Sequence, residues 1–531
     1  MTTLTGTGRL SWFVVRRDRL RLLLWIGGIV GTVIASAAAL PPVYPDQESI
    51  EQYTVLFGDN PALVAFAGPG YGFDDPNLGV ILVNETQVFG MIGMALMAIF
   101  LVNRHTRAEE DVERAEVVRS SVVGRHAPTA AALAVVAAVV VLVSAACAVG
   151  FVATGYAVHG SVALAASLAA VGLVFVGITA VAAQIASTGR GTLGLASATL
   201  VATFVLRAVG DIGDNALRWL SPMGWAQAVR AFAGEVWWPI VLCLAAAGGL
   251  VGVAFWLFSR RDLGSGILAT RGGPARGAAS LSRPVGLAVR LHRGTVIGWA
   301  VGMFVTGLVY GSIGEDIEEM VEENPTFADI LAQLEGASVT DAFFATSLLM
   351  LALIASGFAI SAVLRLRSEE GAGRAEPLLA GPLGRIHWAA SHLVVAVVGT
   401  VVVIAAGGLG IGVSYAVVAE DAGQVARMTL ASLVTVPPAL VLTGLTLALF
   451  GLAPRAVMVA WAVLAGVVVV GVLGEVLRLP AWTRQLSPFD HAPAVPAEDL
   501  RWFPVIVLLA LAAALAAAGL AGFRRRDLRT E

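Results

Sequence analysis

The chain contains no lysine: all 34 basic residues among its 531 are arginine. That absence excludes the phosphate-binding loop GxxxxGK[ST], whose lysine reaches the phosphates. This chain therefore supplies no nucleotide site of that kind. Charge of either sign is scarce, at 13% of residues against about a quarter in soluble domains. Cysteine is nearly absent. Cys147 and Cys243 both sit inside apolar runs, which reads as small-residue packing rather than a disulfide or a metal pair. The seven histidines show no metal-ligand spacing, so no cofactor or metal is expected in the chain itself. Alternating ten-residue segments are missing too, which excludes a transmembrane β-barrel.

What the sequence has instead is apolar length. Hydrophobic residues make up 57% of the chain, and many runs reach the eighteen or more residues that cross a bilayer as a helix. Candidate spans fall at 22–40, 82–103, 129–154, 161–187, 192–210 and 238–258, then at 294–314, 342–364, 388–417, 427–450, 456–475 and 503–523. The expected fold class is an all-α polytopic membrane protein of about twelve transmembrane helices. The less apolar stretches 211–237 and 476–502 read as broken or interfacial pieces before the last span of each half.

Loop charges orient these spans. Residues 1–21 hold five arginines and one acid, and residues 259–295 hold seven arginines and one acid. Residues 41–80 hold six acids and 311–341 hold nine, with no base in either. Arginine-rich loops stay on the cytoplasmic side, so both termini are expected inside and both acidic loops outside. The chain is therefore expected to be a multi-pass membrane protein.

The chain also repeats itself. Arg107, Glu109, Glu110, Arg114, Ala115, Glu116, Gly124 and Arg125 match Arg367, Glu369, Glu370, Arg374, Ala375, Glu376, Gly384 and Arg385 at an offset of 260. LSP at 220–222 returns at 486–488, and FSRRDL at 258–263 returns as FRRRDL at 523–528. Two parallel six-span repeats follow, with a first domain at 1–258, a Gly/Ala/Ser/Arg-rich cytoplasmic linker and second elbow region at 259–293, and a second domain at 294–531. Positive-inside bias accounts for the linker arginines without nucleic acid.

Each repeated segment follows a second span. Val112, Ala115, Val118 and Val122, or Ala372, Ala375, Leu379 and Leu383, approximate one apolar helical face. The opposite surface carries Glu110, Glu113 and Arg114, or Glu370 and Arg374, open to a soluble partner. EEGAGRAEPLLAGPLGR at 369–385 resembles the coupling segment of ABC-2 type permeases, and the twelve-span length resembles the actinobacterial antibiotic and multidrug exporters of the tetronasin and polyketide type. The resemblance implies a permease subunit that exports an amphipathic or hydrophobic compound. It also implies two copies of a separate ATPase that binds ATP and Mg, so the chain itself is not an enzyme. It carries the coupling role to Glu369, Glu370, Gly373, Arg374, Glu376 and Pro382, and to Glu109, Glu110, Arg114 and Glu116. The first copy departs where Glu113 stands for Gly373 and Val122 for Pro382. An amphipathic elbow helix is expected at 9–21, with a second near 283–293.

Polar residues inside spans are costly and mark candidate translocation-path positions: Asn84, Glu85, Gln87, Gln184, Arg207 and Glu475. Arg207 and Asp211 are also spaced to pair. Small residues at GGLVG, 248–252, and GLGIG, 408–412, are candidate helix contacts. A proton-coupled carrier of the major facilitator type and a polytopic membrane enzyme are the alternatives. The first would not need two coupling-like segments, and the second would want paired carboxylates or a histidine cluster on one rim.

Overall fold

The computed structural model describes residues 3–58, 61–262, 264–268, 276–312, 314, 339–473 and 481–528. The chain divides into two units, Met1–Gly273 and Pro274–Glu531. This boundary falls inside the linker expected at 259–293.

The first unit holds six helices long and apolar enough to cross a membrane: Thr7–Val43, Leu78–His105, Ala127–Ala153, Val158–Ile185, Gly189–Ile212 and Trp238–Ser259. Each covers the run expected from hydropathy. The core gathers around the second and fourth spans, with Met91, Met94, Leu164 and Phe175 fully enclosed. Helix starts are set by short polar side chains. Asn77 accepts from the backbone N–H of Gly79 and Val80 ahead of the second span, and Thr188 from that of Gly191 ahead of the fifth.

The second unit has Pro284–Ser312, Val339–Gly371, Arg385–Val418 and Trp502–Arg525 as spans. Its fourth span differs from the sequence reading. It is broken between Gly423–Leu433 and Val436–Leu452, where Val436-Pro437-Pro438 opens a new helix because proline fits the first turn only. Eleven long apolar helices are therefore present among the described residues, and the expected fifth span of this unit is the shorter Val459–Leu473. The two LSP copies do the same local work. The Ser221 hydroxyl accepts from Met223 N–H, and the Ser487 hydroxyl from Phe489 N–H.

The first elbow is set off from the first span by a kink at Asp18, near the end of the expected 9–21. Thr7–Val43 is two helical stretches joined where the backbone leaves helical geometry at Asp18. Asp18 is buried there because Arg104 Nε and Nη2 reach it at 2.6 and 2.9 Å and His105 Nε2 at 3.0 Å. The second elbow region merges into Pro284–Ser312 without a break.

The two candidate glycine contacts part ways. A Cβ on Gly410 would lie 2.1 Å from the Phe304 carbonyl oxygen, and one on Gly408 2.4 Å from the Ser432 hydroxyl. GLGIG is thus a close backbone crossing of the kind small residues permit. Gly248, Gly249 and Gly252 have nothing within 4 Å of such an atom, so the glycines of GGLVG make no close crossing and the stretch packs through Leu250, close to Gly177.

Candidate functional site: the repeated segment and its clamp

In the first unit the chain leaves the second span at His105, makes one short turn, Arg107–Glu110, and enters a second, Arg114–Arg119. In the other unit the second span continues to Gly371, and the short helix is Ala375–Leu379. The reversal between them uses the same device twice. Glu113 has φ 59° and Gly373 φ 68°, both in the left-handed region. Glycine enters that region freely, whereas glutamate pays a steric cost there.

The reversal turns one acidic side chain of each pair inward, onto the other repeated motif. Arg261, the third residue after Phe258, places Nη2 2.6 Å from Glu110 Oε1 and Nη1 2.8 Å from Oε2. Arg526, the third residue after Phe523, places Nη1 2.6 Å from Glu370 Oε1 and Nη2 2.7 Å from Oε2. Both are two-pronged charge-assisted pairs. Phe258 and Phe523 are buried, with the paired guanidinium 5.3 and 5.0 Å from their ring centroids. The segment's other end is tied to the same motif. Arg125 donates to the Phe258 and Ser259 carbonyls, and Arg385 to the Arg526 carbonyl. The two repeated motifs are therefore two halves of one clamp, made once in each unit.

Further bonds extend the first clamp. Arg107, fully buried, adds a second contact to Glu110 at 2.8 Å and donates to the Gly264 and Ser265 carbonyls at 2.9 Å each. Gln184 accepts from Arg261 Nε at 2.7 Å.

These contacts correct the surface expected from sequence. Glu369 and Glu370 are buried, and Glu110 is nearly so. Glu369 receives Arg365 at 2.8 Å and Arg374 at 2.7 Å; Glu109 receives Arg17 at 2.9 Å, with Arg114 at 3.7 Å. The physical reason is the break at the left-handed residue, which ends the single helical face assumed for the segment. What stays open is Arg114 and Arg374, with side chains 60% and 51% exposed, together with Glu113, Glu116, Glu376 and Pro382. Arg374 is held above its ordinary pKa by its hydrogen bond to Glu369. Val112, Val117 and Val122 are exposed beside the first set, and Leu378 and Ile386 beside the second. Inward packing holds for Ala115 and Val118, which line a 90 Å³ cavity with Leu10 and Phe13, and for Ala375, Leu379 and Leu383. It fails for Val112, Val122 and Ala372, which are exposed.

Of the candidate path residues, Asn84 and Glu85 meet at the Tyr53 hydroxyl, whereas Gln184 and Arg207 have partners elsewhere. Asn84 donates to the Tyr53 hydroxyl at 2.8 Å, and Gln87 to Ser167 at 2.9 Å, both buried. Gln184 belongs to the clamp. Arg207 pairs with Asp211 at 3.1 Å, as the spacing indicated, and donates to the Ala65 carbonyl. Glu475 lies outside the described residues. Sequence reasoning missed the arginines that receive the acids, Arg107, Arg261 and Arg526. The signal for two of them was present, because FSRRDL and FRRRDL recur at the spacing of the acidic segment.

Compared with known proteins, the chain is 39% identical over 529 residues to the multidrug efflux system permease protein Rv1217c of Mycobacterium tuberculosis (strain ATCC 25618 / H37Rv), covering 99% of this chain and 96% of the relative. The chain belongs to the multidrug efflux permease family. The model of the C-terminal domain of that permease also matches residues 281–524. As a member of this family, with eleven membrane-length helices among its described residues, the chain is a multi-pass protein of the bacterial plasma membrane. The full-length match takes in both clamps. The domain match covers Glu369 through Pro382 and ends before Arg526.

Proposed function

We propose that this chain is the permease subunit of an ATP-driven ABC exporter, of the ABC-2 type, moving hydrophobic or amphipathic drug-like compounds out of the cell. Two copies of a separate ATPase bind ATP and Mg and dock under the two repeated segments, on the arginine-rich side, with both termini on that side. The observation that carries the reading is the duplicated clamp. Each ties a short, partly exposed helix rigidly to the second and sixth spans of its unit, and force applied to that helix reaches the bundle without being lost in a flexible loop. Arg114 with Glu116, and Arg374 with Glu376, supply the partner contacts, and the exposed valines and leucine supply the apolar part. A proton-coupled carrier has no use for this arrangement twice.

Co-expression with a separate ATPase subunit that carries the phosphate-binding loop, followed by native mass measurement of the detergent complex, tests the assembly. One copy of this chain with two ATPases is expected. A homodimer of the chain, or one ATPase per chain, contradicts it.

A further inference from the structure

Glu85 stands apart from every other polar residue singled out in the spans. It lies two turns into Leu78–His105, at the acidic end of the first unit. Its Oε1 accepts from the Tyr53 hydroxyl at 2.8 Å, and that hydroxyl accepts in turn from Asn84. Its second oxygen receives no hydrogen bond from a described residue, and no arginine or histidine among them pairs with it. Arg207, by contrast, has Asp211, and Asp18 has Arg104. A carboxylate inside a span without a counter-ion is expensive, and the cost is relieved when it takes up a proton or meets a cation.

The surroundings say what kind of charge fits. Tyr53 stacks on Phe57 with centroids 4.1 Å apart and meets Tyr44 edge-on at 5.4 Å. Tyr44, beyond the end of the first span, is pushed up to about 12 by burial and then by the charge of Glu85, so it too stays a neutral phenol. Phe89, one turn on, is 53% exposed on the same helical face, and Phe100 continues that face at 46%. This is the least buried stripe of an otherwise enclosed helix. A single carboxylate among aromatic rings lacks the six to eight oxygens that a hard metal cation takes. It suits instead an organic cation whose charge meets the carboxylate and whose apolar body lies on the rings. The fold itself does not ask for the acid. At the repeat offset of 260 the second unit has Ala345, buried in the same span.

We propose that Glu85, oriented by Tyr53 and flanked by Phe89, is the recognition carboxylate for lipophilic organic cations in the first unit. This deepens the exporter reading by naming a substrate class, and rests on it for the direction of transport.

The test is equilibrium binding of radiolabelled tetraphenylphosphonium to the purified full chain in lipid nanodiscs, with uncharged triphenylphosphine oxide as the control ligand. Glu85→Gln is expected to weaken tetraphenylphosphonium binding by about tenfold or more and to leave the neutral ligand unchanged, whereas Glu85→Asp keeps cation binding within about threefold. Wild-type affinity in Glu85→Gln overturns the proposal, as does cation binding to wild type no better than to empty nanodiscs. A second measurement needs no variant. Dicyclohexylcarbodiimide labelling of Glu85 in the wild type, read by peptide mass, is expected to be blocked by tetraphenylphosphonium and not by triphenylphosphine oxide; equal labelling under both contradicts the assignment. ATP-driven transport of a neutral substrate by the reconstituted complex is measured separately. Its failure removes the exporter reading and leaves the binding result standing.

Discussion

Glu113 and Gly373 hold the same left-handed backbone at the same place in the two halves, with φ 59° and 68°. Only one of them is suited to it. Left-handed backbone costs a residue with a Cβ about 1 kcal/mol or more. Around Gly373 nothing lies within 4 Å of an added Cβ, so its requirement for glycine is one of backbone conformation and not of space. Gly373→Ala is expected to destabilise the second unit by about 1 kcal/mol, and Glu113→Gly to stabilise the first by slightly less, because glycine also frees the unfolded chain. Thermal unfolding of both variants in the same detergent checks the opposite signs.

Arg526 and Arg374 should separate clamping from docking. Arg526 meets the buried Glu370, and removing one partner of such a pair typically costs about 3–5 kcal/mol because the other charge is stranded. Arg526→Ala and Glu370→Ala are both expected to lower the folded yield, measured by size-exclusion after detergent extraction. Arg374→Ala removes a half-exposed side chain and leaves the buried Glu369 its second arginine, Arg365, so it is expected to cost about 1 kcal/mol of stability while reducing ATPase binding and substrate-stimulated ATP hydrolysis in nanodiscs. Arg374→Ala with wild-type turnover would remove the docking role.

In the first clamp two arginines share the acid. Glu110 receives both Arg107 and Arg261. Arg261→Ala therefore leaves Glu110 with one buried cation, and is expected to cost less folded protein than Arg261→Ala combined with Arg107→Ala under identical expression.

Topology is open to direct labelling. In a background lacking Cys147 and Cys243, a cysteine at Ser49 is expected to react with an impermeant thiol reagent on intact cells. One at Val122, exposed at the opposite end of the first unit, should react only after permeabilisation. The reverse pattern would invert the orientation drawn from loop charge.

Helix crossings give a paired control. Gly410→Val drives a side chain into the Phe304 backbone, which cannot move aside as a side chain can, and is expected to cost about 1–3 kcal/mol or to abolish folding. Gly252→Val meets open space and is expected to fold normally. Folded yield distinguishes the two.

The sequence by itself determined the spans, because a run of apolar residues long enough to cross a bilayer has few other places to go. It also determined the twofold organisation, since acidic segment, LSP and FxRRDL recur in order. It did not tell Arg114 from Arg107, or Glu116 from Glu110. Glu110 and Arg114 read together as surface charge on a short amphipathic helix. The tertiary structure decided which faced inward, through one left-handed residue that breaks the helix and an arginine 151 or 156 positions away that receives the acid. Likewise Asn84, Glu85 and Gln87 look alike as polar residues in one span. Only the packing of Tyr53 and Ser167 against them satisfies two and leaves the carboxylate of the third half open. Hydropathy and charge act locally and are readable along the chain, whereas the partner of a buried charge is chosen by how the helices meet.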